Sequence, residues 1–183
     1  MFSARALLQQ YGFSLIELLF TVAIAAVMFG LCVPAYNQFF TKSKESVLRM
    51  QLLHAINLAR REVIMRGEAV TLCGSSDHVT CSEHWGSGQI LFVDEKEDGR
   101  VIDKEHVISV FYSEAKGTLH WRSALGRDYL QILPDGLAHT ENGSFWFCPV
   151  GVVDPVWAIV VNKAGRAYTK YPDRKGKINT FRC

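Results

Sequence analysis

The sequence predicts an α+β fold, a long N-terminal helix packed against an antiparallel β-sheet or sandwich head. Three observations predict it. Residues 13–33 are apolar or small except for Ser14, Glu17 and Thr21. Behind that run, apolar residues recur at three- and four-residue steps as far as residue 66, the period of one helix face. From residue 69 onward the pattern changes to short apolar runs separated by turn residues, which is the pattern of strands.

The first element is the apolar run. At about 1.5 Å per residue a helix of this length crosses a bilayer. Glu17 stands alone within it as a carboxylate. An unpaired charge at mid-membrane costs on the order of 2.5–3.5 kcal/mol, so Glu17 is expected to have a partner. Residues 1–12 are polar to mixed, with Arg5 as their single cation, and no small-x-small cleavage site follows the apolar run. An ordinary secretory signal is therefore excluded.

The string Gly12-Phe13-Ser14-Leu15-Ile16-Glu17-Leu18-Leu19 resembles the class III signal of type IV pilins and pseudopilins. The resemblance implies that a prepilin peptidase cuts between Gly12 and Phe13 and methylates the new amino terminus of Phe13. It also makes Glu17 the glutamate at mature position five. Glu17 of one subunit would then neutralise the Phe13 ammonium of the next inside a filament. The contrasting reading is a plain membrane anchor whose glutamate snorkels to the interface, which leaves the glycine–phenylalanine junction unexplained. The expected organisation is a cleaved leader at 1–12, a transmembrane helix at 13–33, an amphipathic continuation at 34–67 and a β-rich head at 68–183.

A chain of 183 residues with a net charge of +2 accommodates one globular domain plus the anchor and implies no strong polyelectrolyte character. Of the five cysteines, Cys32 lies in the apolar run and Cys73, Cys81, Cys148 and Cys183 lie in the head. An even number in an exported head favours disulfides in an oxidising compartment. The cation count runs the other way: Arg5 precedes the run, whereas Lys42, Lys44 and Arg49 follow it, which by the positive-inside rule places the head in the cytoplasm. The signal and the paired cysteines favour a single-pass protein in the bacterial inner membrane with a periplasmic head.

The helix is expected to run from about residue 13 to residue 66, with Pro34 as a kink site. Leu48, Leu52, Ala55, Ile56, Ala59 and Val63 form its apolar stripe, and Gly67 is the stop signal. Strands are expected at 69–73, 89–94, 106–112, 119–121, 130–133, 144–148, 157–162 and 167–171. Turns are expected at Asp98-Gly99, Asp135-Gly136, Asn142-Gly143 and Ala164-Gly165, with Asn142-Gly143 the strongest hairpin signal.

Motifs in the head narrow the resemblance. Ala59-Arg60-x-Glu62-x-Ile64-x-Arg66-Gly67-x-x-Val70-x-Leu72-Cys73 is similar to the helix end and first strand of the FimT/FimU/GspH group. Trp85-x-x-Gly88, Phe92-x-Asp94 and Asp98-Gly99 are similar to its next segment, and Val160-Val161-Asn162-x-x-Gly165-Arg166 to its last hairpin. The group comprises minor pilins of type IV pili and the H-type pseudopilin of type II secretion. The resemblance implies a low-copy filament subunit that primes assembly near the tip. Its expected partners are other minor pilins or pseudopilins, the major pilin, the prepilin peptidase and the inner membrane.

Other constellations carry chemistry less well. Asp94-x-Lys96-x-Asp98-Gly99 has lysine where a calcium ligand belongs, so a charged hairpin tip is preferred. Cys73, His78, Cys81 and His84 match a tetrahedral zinc set. A disulfide Cys73–Cys81 explains the cysteines without the histidines and is preferred, with free thiols the third reading. Cys148–Cys183 would then staple the last residue to a central strand. No cofactor is implied and no catalytic motif is present, so an enzyme has nothing in the sequence behind it. DNA uptake is the alternative function. Lys163, Arg166, Lys170, Arg174, Lys175, Lys177 and Arg182 face Asp173 alone in the C-terminal segment, interleaved with Tyr168, Tyr171 and Phe181. Arg166, Lys170, Arg174, Lys175 and Lys177 are the residues expected to bind DNA. Some FimT-type proteins bind DNA through Gly-Arg-x-Arg in this hairpin. Here Tyr168 replaces the second arginine, and Lys170 supplies a point charge without a guanidinium fork.

Overall fold

The computed structural model describes residues 14–103, 106–138, 142–174, 176–178 and 181–183. Gly12, Phe13 and Lys175 lie outside the described residues, as do the side chains of Cys32 and Pro34. Helix α1 spans Leu15–Arg66. Eight strands follow: β1 Val70–Gly74, β2 Gly88–Val93, β3 Val107–Tyr112, β4 Gly117–Ser123, β5 Tyr129–Ile132, β6 Gly143–Pro149, β7 Trp157–Val161 and β8 Ala167–Lys170.

The chain divides into two units, Met1–Phe40 and Thr41–Cys183. In the first, Leu15, Ile16, Leu19, Phe20 and Phe29 are exposed. The first turn of α1 is acidic at Glu17, and Ser14 precedes it by three residues, the spacing of a capping box. Among the described residues no helix is long and apolar enough to cross a membrane. The apolar run of the sequence also takes in Phe13 and the side chains at 31–33, which lie outside them.

The second unit contains the core. Leu48, Leu52, Ala55, Ile56, Ala59 and Val63, the stripe read from the 3.6-residue period, are each at most 2% exposed. They share one cluster with Val70 and Leu72 of β1, Leu130 and Ile132 of β5, and Phe145, Phe147, Trp157 and Ile159 of the other sheet. Gly67 ends the helix at φ 71°, donating its N–H to the Val63 carbonyl at 2.8 Å. That left-handed cap is accessible to glycine at little cost.

Two four-stranded antiparallel sheets flank this stripe's cluster, in orders β3-β2-β1-β5 and β4-β6-β7-β8. All eight expected strands form. One expected hairpin does not. Asn142-Gly143 opens β6, whose neighbours are β4 and β7, whereas β5 belongs to the other sheet. Gly143 pairs with Ser123, and a Cβ at that position would lie 2.4 Å from the Arg122 carbonyl oxygen. Glycine is needed there for close strand approach and not for a turn. The hairpin in this region joins β7 to β8, where Gly165 N–H donates to the Asn162 carbonyl at 2.9 Å.

Asp94 corrects a second expectation. It is 1% exposed and not part of a solvated tip. Its carboxylate accepts from Thr71 Oγ1 at 2.7 Å, Gln131 Nε2 at 2.9 Å and the N–H of Gly99 at 2.9 Å. The network ties β1, β5 and the 94–99 turn together and satisfies three buried donors with one ion. Cys73, Ile90 and Phe92 form a smaller second cluster with Val101, Val107 and Tyr129. Removing Asp94 strands these donors, so Asp94→Ala is expected to lower stability by about 3 kcal/mol in urea unfolding of the full chain. A loss below about 0.5 kcal/mol would contradict the organising role of this carboxylate.

Candidate functional site

The first site residues read from the sequence lie at the N-terminal end. Gly12 and Phe13 are outside the described residues. Glu17 occupies the first turn of α1, where a carboxylate also complements the positive end of the helix dipole.

The four head cysteines form two disulfides. Cys73 pairs with Cys81 across a separation of 8 residues, and Cys148 with Cys183 across 35. The first closes the loop after β1. There Asp77 accepts from the N–H groups of Thr80 and Val79 and from the hydroxyls of Thr80 and Ser75. These bonds, that from the Thr80 N–H foremost, hold its carboxyl far below the usual carboxylate range. With both thiols oxidised, the zinc set of Cys73, His78, Cys81 and His84 has lost its sulfur ligands. His78 packs on Tyr112, with ring centroids 4.5 Å apart.

The basic C-terminal residues divide into two groups. Arg166, the residue before edge strand β8, alternates with Tyr168 and Lys170 of that strand, and all three are exposed. Lys170 Nζ lies 5.9 Å from the Tyr168 ring centroid. Arg166 and Lys170 are separated by the strand length between them, about 13 Å at 3.3 Å per residue. Arg174 and Lys177 sit on the following turn, where the N–H of Lys177 donates to Asp173 Oδ1 at 3.0 Å. Lys175 lies outside the described residues.

Strand register reveals residues that sequence reading passed over. Across the second sheet, Arg122, Ser144, Val160 and Tyr168 are successive partners, and so are His120, Trp146, Ala158 and Lys170. Phe145 and Phe147, their alternates on β6, face the core. These two rows therefore make the outer face of the sheet. On it His120, Trp146 and Phe181 stack, with centroid separations of 5.1 and 5.0 Å. Burial holds the His120 imidazole below its ordinary range, which favours the neutral ring in this stack. The alternation of Trp146 with Phe145 and Phe147 was visible in the sequence. The return of the last residues across β6 was not.

Two family models match this chain. The N-terminal methylation motif of prokaryotes covers residues 7–33, and the type II transport protein GspH covers residues 49–165. The chain belongs to the GspH family. This GspH-family chain is a pilin-like protein of the FimT/FimU/GspH kind, a minor pilin or pseudopilin. Among solved structures it is similar to the type IV minor pilin FimU of Pseudomonas aeruginosa, at 18% identity and TM-score 0.53, over 72% of this chain and 92% of that one. A second crystal form of the same FimU matches at 16% identity and TM-score 0.49, over 68% and 91%. At this identity the first likeness shows a shared fold. No curated protein sequence matches the chain.

The Cys148–Cys183 bridge should stabilise this GspH-family head by about 3–4 kcal/mol in the chain-entropy model. Cys183→Ser is expected to lower the urea midpoint accordingly, with Cys73–Cys81 intact on non-reducing peptide mapping. A midpoint equal to that of the parent would show that the bridge contributes nothing.

Proposed function

We propose that this chain is a low-copy subunit of a type IV pilus or a type II secretion pseudopilus that primes assembly near the filament tip with other minor subunits. The observation that carries the reading is the order of the two family matches, a methylation motif at residues 7–33 ahead of a GspH head at residues 49–165. The prepilin peptidase removes residues 1–12 on the cytoplasmic side and methylates Phe13. Residues 13–33 anchor the chain in the inner membrane, and the disulfide-bonded head occupies the periplasm, where thiols oxidise. Within a filament, Glu17 meets the Phe13 ammonium of a neighbouring subunit and removes two unpaired charges from an apolar core at once. The role is structural and not catalytic.

DNA uptake is the second reading. It is favoured by the stripe of Arg166, Tyr168 and Lys170, two exposed cations and an exposed ring at alternate positions into and along β8. Phosphate contacts would then dominate, with little sequence preference and a steep fall with salt. A titration of the full chain with a short duplex at two salt concentrations tests it.

Mass spectrometry of the membrane-extracted protein is expected to find a chain beginning at N-methylated Phe13. An intact Met1 terminus would overturn the processing step. Glu17→Ala should insert in the membrane at least as well as the parent, because a buried acid is lost. Its recovery with the major subunit should fall, and recovery at the parental level would contradict the Glu17–Phe13 pairing.

A further inference from the structure

The described residues at the end of the chain, Ile178 and 181–183, return to the second sheet as a strap. Cys183 is bonded to Cys148 and its N–H donates to the Val153 carbonyl at 3.3 Å. Phe181 stacks on Trp146, and the Trp146 indole N–H donates to the Arg182 carbonyl at 3.0 Å. Ala158 lies on the outer face by register, yet it is fully buried and belongs to neither core cluster. Ile178 of the strap is likewise buried at 6% outside both clusters. The strap is therefore a packed layer and not a loose arm.

Between the strap and β4 lies an open cleft of about 590 Å³, within the size range of ligand sites. Arg122 of β4 and Arg182 of the strap both line it, with Ser144, Trp146 and Phe181. Among the described residues no carboxylate lines it; Asp154 lines a neighbouring cavity that shares Phe181 and Arg182. Among the described residues neither arginine has an ion-pair partner. Both guanidinium forks are thus available, next to a flat aromatic stack and the serines at 123 and 144.

We infer that this cleft is a socket for a short acidic segment of a neighbouring subunit, with Arg122 and Arg182 receiving its carboxylates. Arginine forks match carboxylates in two-point geometry, and the rings cover the aliphatic stems of acidic side chains. The cleft accommodates a few residues and among the described residues has no further cation along its wall, which suits a peptide loop better than a nucleic acid strand that needs a continuous cationic track. The protein identity of the occupant rests on the filament-subunit reading. The strap supplies one wall, so the socket exists as built only while Cys148–Cys183 is closed.

The test is calorimetric titration of the full chain in detergent micelles at low salt, with hexaglutamate, hexathymidylate and hexalysine as probes. Hexaglutamate should bind in preference to the other two. Arg122→Gln with Arg182→Gln should weaken it about tenfold, the loss expected for one charge-assisted hydrogen bond. Arg166→Gln with Lys170→Gln, which removes the same charge at and just before β8, should change it little. Cys183→Ser should weaken binding to the level of the double arginine variant. Equal loss in both charge pairs would reduce the effect to general electrostatics and overturn the socket, as would tighter binding of hexathymidylate. Parental affinity in Cys183→Ser would overturn the strap wall. Failure here with Phe13 processing intact removes the socket alone, whereas hexaglutamate binding by an unprocessed chain removes the filament reading and leaves the socket standing.

Discussion

Burial of one helical stripe in a core shared with both sheets is the constraint on which the rest of the head depends. Leu48, Leu52, Ala55, Ile56, Ala59 and Val63 pack against Val70 and Leu72 of the first sheet and against Phe145, Phe147 and Ile159 of the second. A helix with so narrow an apolar face gains most of its stability from what covers it. The sheets in turn each need an apolar surface to close upon. The small residues Ala55 and Ala59 alternate along the stripe with larger Leu52, Ile56 and Val63, and all five share one cluster with the aromatic residues of β6 and β7. With that contact in place, the outer faces become free to carry function. One bears the disulfide loop and the Asp94 network, and the other bears the strap.

Local signals were legible wherever a single period or a single residue determines the outcome. The helix stripe follows from spacing alone, and Gly67 ends the helix because a positive φ is required there. The eight strands follow from short apolar runs. What was not legible is what depends on pairing between distant segments. Asn142-Gly143 has the composition of a tight turn, but its glycine serves the approach of β6 to β4, a neighbour that local sequence does not specify. Asp94 sits in a charged stretch, and only the return of β5 beside β1 brings Gln131 and Thr71 to its carboxylate. The predicted basic surface was likewise read as one patch. The structure splits it between a strand and a turn, and it places Arg122, distant in sequence, on the same outer face as Tyr168.

The two ends of the chain have different physical tasks. The N-terminal residues match a methylation motif and include Glu17, which on the proposed reading pairs with another subunit. The C-terminal residues, closed by Cys148–Cys183, turn a cationic tail into a wall of defined shape. A filament subunit present in few copies must attach to its neighbours through a common anchor and still be told apart from them. On the proposed reading the anchor would supply the shared contact, and the outer face of the second sheet the distinguishing one.

The central claim is that this chain is a built-in but scarce part of a filament. Quantitative mass spectrometry of filaments sheared from the cell surface, beside the membrane fraction, tests it most directly. The account predicts peptides of the mature head in the filament fraction, far below the major subunit in amount, and loss of filaments when the chain is deleted. Complete retention in the membrane with filaments unaffected by the deletion would contradict it.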